Sequence, residues 1–130
     1  MNNSSDARNV KRLCKAYEAY SNNPSNKSKR KQFLKAMVLR NIFASMIEDE
    51  SQRQLLFDMM KAFLSEVNYK ANAKVFDNFL TGILSCTIHV YYCLMFIQQG
   101  IIQRLFEHFA QIPDNNMLNR GAAFTFFNLK

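Results

Sequence analysis

An all-α fold is predicted by three features of this chain. Glycine and proline are scarce, at three and two in 130 residues, which leaves too few turn residues for a sheet-rich protein. Apolar residues make up 48% of the chain, with twelve Phe and seven Met, so core material is ample. Those residues also recur at three- and four-residue intervals along most of the length, the spacing that lines one face of a helix. The size suits one domain or a short run of repeats.

The elements follow in order. Val10, Leu13, Cys14, Tyr17 and Tyr20 mark a first helix, with Asp6 or a preceding serine as its cap. Ser21 to Ser28, rich in Ser, Asn and Pro, is a break. A second helix is expected over 28–47, with a wide apolar face of Phe33, Leu34, Met37, Val38, Ile42, Phe43, Met46 and Ile47. Glu48, Asp49 and Glu50 close it and suit the positive N-terminus of the next helix. The third helix carries Leu55, Leu56, Met59, Met60, Phe63, Leu64 and Val67, and the fourth, from near Ala71, carries Val75, Phe76, Phe79, Leu80, Ile83 and Leu84. Thr87 is a candidate cap for a fifth, which holds Ile88, Tyr91, Leu94, Met95 and Ile97 as core and ends at Gly100. A sixth runs through Ile101, Leu105, Phe106 and Phe109 to Pro113, and a seventh from Asp114 through Met117, Leu118, Ala122, Phe126 and Leu129.

Residues 100–130 hold a glycine break, a striped helix, a Pro-Asp-Asn-Asn turn and a helix ending in Phe127-Asn128-Leu129. Together with the preceding helix this resembles an armadillo repeat, specifically over 87–130 and loosely elsewhere. Arg40-Asn41-Ile42, Thr81-Gly82-Ile83 and Phe127-Asn128-Leu129 stand 41 and 46 residues apart, near the period of such units. The resemblance implies a short right-handed α-solenoid of about seven helices in one domain over 1–130. Its parts would be a partial repeat at 6–47, another at 51–86 and a complete one at 87–130. In peptide-binding members of the family, third helices line a groove, an Asn grips the peptide backbone and a Trp one turn earlier packs on it. By position Asn41 and Asn128 match that Asn, with Asn78 after Lys74 as the middle substitute for Gly82. Met37 and Phe124 stand where Trp would be, and the chain has no Trp.

The formal charge of +7 is concentrated. Residues 1–46 hold ten Lys and Arg against Asp6 and Glu18, whereas 47–130 hold seven basic and eight acidic residues. Lys27, Lys29, Arg30, Lys31, Lys35 and Arg40 gather around the start of the second helix. Cations there oppose the helix dipole, so helix stability does not account for them. A surface for something anionic does, and a plain solvated face is the alternative. Interleaved aromatics would favour nucleic acid, and Phe33 alone is near.

Other constellations carry less. Asn78 to Gln103 has no Asp, Glu, Lys or Arg, long enough to raise a membrane span. Polar residues and an expected helix boundary inside the run favour a buried helix pair. Cys86, His89 and Cys93 would share a face only if the helix ran on through Thr87, and a structural zinc wants four ligands. No phosphate-binding loop, nucleophile elbow or paired-carboxylate motif is present. No enzyme, cofactor or metal is therefore expected, and three unpaired cysteines favour an intracellular setting, cytoplasmic or nuclear.

The expected role is a protein-interaction scaffold or adaptor that docks an acidic segment or helix of another protein. The candidate residues are Lys29, Arg30, Lys31, Lys35, Arg40, Asn41, Lys74, Asn78, Arg120, Phe124 and Asn128. The apolar C-terminal helix, with Phe124, Phe126 and Phe127, would stack on another chain or on further repeats. A basic helical nucleic-acid-binding domain is the alternative.

Overall fold

The computed structural model describes residues 3–68 and 71–111. Seven α-helices and no strands occur among them. The chain divides into two compact units, Met1–Val67 and Asn68–Lys130. The division falls inside the span 51–86 expected to form the middle repeat.

The first unit contains α1 (Asn3–Asn22), α2 (Lys27–Ala36), α3 (Ile42–Ile47) and α4 (Glu50–Glu66). Helix α1 packs on α2 and α3, and α4 packs on the same two. Asp6 lies in the first turn of α1, where a carboxylate complements the dipole. The break at 23–26 is closed by the Asn26 side chain, which accepts from the Lys29 amide at 3.0 Å and caps α2. Tyr20 stacks on Phe33 with centroids 5.0 Å apart, and Tyr17 lies 5.3 Å from the same ring. Phe33, Met37, Met46, Ile47, Met59, Met60 and Phe63 have no exposed surface at all.

The helix expected over 28–47 is in fact two helices. Residues 37–41 form turns, and Asn41 adopts a left-handed conformation with φ 61° before α3 begins. The reason is geometric. At roughly 100° per residue, Phe33, Leu34 and Met37 point nearly opposite to Ile42, Phe43, Met46 and Ile47. One straight helix would bury one set and expose the other. Breaking the chain at Asn41, a residue that tolerates left-handed backbone, buries both sets.

Asp49 caps α4, its Oδ1 accepting from the Ser51 amide at 3.0 Å and the Ser51 hydroxyl at 2.6 Å. Those two bonds, the hydroxyl's foremost, hold the Asp49 carboxyl below its usual range. A depressed value stabilises the fold above the ordinary carboxylate pKa and is lost as pH falls through the folded one. Asp49→Asn keeps a capping oxygen but removes the charge. The melting temperature of Asp49→Asn is expected to fall below that of the natural chain near neutral pH. The gap should close in melts taken at progressively more acid pH. A gap that stays constant down to acid pH would show that the charge at Asp49 contributes nothing.

The second unit contains α5 (Ala73–Cys86), α6 (Val90–Gln98) and α7 (Ile101–Gln111). Its core joins Phe76, Phe79, Leu80 and Ile83 of α5 to Cys93 and Phe96 of α6 and Ile101, Leu105 and Phe109 of α7. Phe76 lies edge-on to Phe109 at 6.5 Å and 5.3 Å from the His108 ring. Thr87 closes α5 instead of opening α6: its Oγ1 donates to the Leu84 carbonyl at 3.1 Å, and His89 takes the cap position of α6. Among the described residues no helix is long and apolar enough to cross a membrane, because the uncharged run is broken at 87–89 and again at 99–100.

Gly100 ends α6 with φ 77°, and an added Cβ would meet nothing within 4 Å. Gly100→Ala is therefore expected to destabilise by about 1 kcal/mol through backbone strain alone. Chemical denaturation measures it. A cost near zero would show that the turn relaxes freely.

The expected seventh helix, 114–129, lies outside the described residues.

Candidate interaction surface

The first unit carries the surface with the clearest chemical character. The apolar stripe of α1 (Val10, Leu13, Tyr17, Tyr20) faces inward, which leaves Arg8, Lys11, Arg12 and Lys15 exposed on its other side. On α2, Phe33, Leu34 and Ala36 are buried, and Lys27, Lys31 and Lys35 repeat every four residues along the exposed face. Binary patterning thus puts two rows of cations on adjoining helices.

Between the rows lies a groove of about 430 Å³. Arg12 and Lys15 of α1 and Lys35 of α2 supply its charge, and Ala16, Ala19, Ala36 and Leu39 supply an apolar floor. No carboxylate of the described residues lines it. Small side chains let another backbone approach closely, while the long cationic stems can fold over whatever enters. The groove is chemically suited to an anionic object with one apolar side.

The expected site residues separate into several places. Lys35 lines the groove, and Lys31 is exposed one turn earlier on the same stripe. Lys29 is half-buried on another side of α2. Arg30 is a structural residue: its Nε lies 3.1 Å from Glu66 Oε2 on α4 and its Nη2 donates to the Pro24 carbonyl at 3.3 Å. Tyr20 joins that contact. Burial pushes its phenol pKa up, and its hydrogen bond to Glu66 pushes the same way. Arg40 is exposed in the turn after α2, and its carbonyl accepts from Asn9 Nδ2 at 3.3 Å.

Asn41 sits apart from the cations. It caps α3 in left-handed backbone, and its Nδ2 donates to Asp6 Oδ1 at 3.3 Å. It lines a second cavity of about 810 Å³ between α1 and α3, where Asp6, Glu48 and Asp49 outnumber Lys11. Cys14 also lines that cavity, and burial raises its thiol pKa, which disfavours the reactive thiolate. The Arg40-Asn41-Ile42 segment therefore opens α3 instead of lying inside one helix over 28–47.

In the second unit Lys74 and Asn78 are exposed one turn apart on α5. Arg120, Phe124 and Asn128 lie outside the described residues. Cys86 and Cys93 are buried on different helices, and His89 is exposed with its ring 5.3 Å from Tyr92. No group of three or more His, Cys, Asp or Glu among the described residues could hold a metal ion.

Sequence reasoning missed Arg12 and Lys15. Their signal was present: with Arg8 and Lys11 they fall on the side of α1 opposite its apolar stripe.

Compared with family models, with curated proteins and with solved structures, the chain matches none.

Proposed function

We propose that this chain is a non-enzymatic interaction module that docks an acidic, amphipathic segment of another protein in the groove between α1 and α2. The observation that carries the proposal is the pairing of three cations with an alanine-rich floor in one groove. An acidic helix with an apolar stripe satisfies both features at once, its carboxylates meeting Arg12, Lys15 and Lys35 and its stripe covering the floor. Lys31 and Lys27 extend the field beyond the groove and steer approach. Armadillo-like stacking of the helices is part of the same proposal, as is an intracellular setting, which the odd count of three cysteines favours.

Nucleic acid is the weaker reading. Single-strand binders combine cations with exposed aromatic platforms, and here Tyr17, Tyr20 and Phe33 are packed on one another between the helices.

Affinity capture from extract, with and without nuclease treatment, tests the proposal, comparing the natural chain with an Arg12→Glu, Lys15→Glu, Lys35→Glu variant. A discrete protein held by the first and lost by the second is the expected outcome. Loss of nuclease-sensitive material alone would transfer the surface to nucleic acid.

A further inference from the structure

Among the described residues of the second unit, an apolar stripe is exposed. Ile88 is 72% exposed, Val90 74%, Tyr91 63%, Leu94 52% and Ile97 47%. Sequence periodicity assigns Ile88, Tyr91, Leu94 and Ile97 to the core, but only Cys93 and Phe96 of α6 are buried. The helix is nine residues long and apolar nearly all round, and among the described residues its main packing partner is α7, so much of its circumference stays bare. Val90, Leu94 and Ile97 follow the i, i+4, i+7 spacing of one helical face, with Tyr91 beside them. This is the pattern of a helix that packs on another helix.

We infer that this face is a homodimer interface, in which α6 packs antiparallel on α6 of a second copy about a twofold axis near Leu94. Three observations select a second copy as the occupant. The five side chains expose on the order of 600 Å² per protomer, so two copies can bury at most about 1,200 Å², the lower end of specific interfaces. No Asp, Glu, Lys or Arg lies between Asn78 and Gln103, so a copy of the stripe can cover it without burying a charge. The stripe is also symmetric about its middle. With Leu94 at the axis, Val90 of one protomer faces Ile97 of the other, as an isologous contact requires.

An acidic segment of the kind proposed for the first unit would find no cation on this stripe, so the two surfaces serve different occupants. The dimer does not depend on the groove reading.

Sedimentation equilibrium of the full chain tests it. The expected result is a mass rising from 15.2 kDa toward twice that value as concentration increases to roughly 100 µM. Leu94→Asp and Val90→Asp should each raise the dissociation constant at least tenfold, with unchanged helical circular dichroism, because both positions are exposed in the protomer. Leu94→Cys in a Cys14→Ser background should give a reducible covalent dimer. A monomer across that range overturns the inference, as does a dimer indifferent to Leu94→Asp and Val90→Asp. A monomer whose melting temperature drops with Leu94→Asp would assign the stripe to residues 112–130 of the same chain, and also overturns it.

Discussion

Phe33→Ala is expected to destabilise the first unit by about 3–5 kcal/mol, the cost of truncating a fully buried aromatic. Phe33 has no exposed surface and carries Tyr17 and Tyr20 on its ring, so it is where α1 meets α2. Removing it leaves a cavity that two tyrosines from one helix cannot both move to fill. The loss is a large part of the stability of a unit this small. Urea denaturation followed by circular dichroism measures it. Phe33→Leu, which keeps most of the volume, should recover a substantial part. A cost below about 1 kcal/mol for Phe33→Ala would mean that the two helices are held mainly by other contacts.

Reversing the groove charges is expected to have the largest effect on binding. Three cations flank one apolar floor, and each reversal replaces an attraction with a repulsion. At about 1 kcal/mol per site, Arg12→Glu, Lys15→Glu and Lys35→Glu together weaken an acidic amphipathic peptide by roughly a hundredfold or more. The useful comparison is a peptide of identical composition in scrambled order. A groove that reads the apolar stripe discriminates between the two peptides, whereas a diffuse polyanion surface does not. Arg30→Glu is the internal control. Because Arg30 pairs with Glu66, it should lower the melting temperature first and change affinity little. Equal affinity of both peptides for the natural chain would sink the groove reading.

Much of the fold was legible because apolar spacing is set by helix geometry. Helix α4 and the α5–α7 boundaries lie close to where periodicity and Gly100 place them. The break at Asn41 was legible too, in the near-opposite directions of its flanking stripes, but reading them as one wide face concealed it. Thr87 was ambiguous because a hydroxyl that can accept from a helix start can equally donate to the carbonyls of a helix end, and here it donates. Periodicity places α6 but misreads its burial, since spacing shows which residues share a face and not whether anything covers it.

The basic site divides along the same line. Composition locates the charge in the first third of the chain, but pairing decides which cations are free for a partner. Arg30 is joined to Glu66, a residue 36 positions away, and only the packing of α2 on α4 brings them together. Arg12 and Lys15 gain importance from the opposite cause: α2 places Lys35 across a groove from them.

The methionines of the first unit add a chemical consequence. Met37, Met46, Met59 and Met60 are wholly enclosed, and their unbranched thioethers fill irregular gaps between helices of unequal length. Enclosed sulfur is shielded from peroxide, so sulfoxide can form there only when the helices part. Each sulfoxide is polar and does not repack, so a brief opening in an oxidising environment becomes a loss of the core that lasts until the sulfoxide is enzymatically reduced. The same four side chains that let this small unit pack make it a recorder of its own breathing, erased only by sulfoxide reduction.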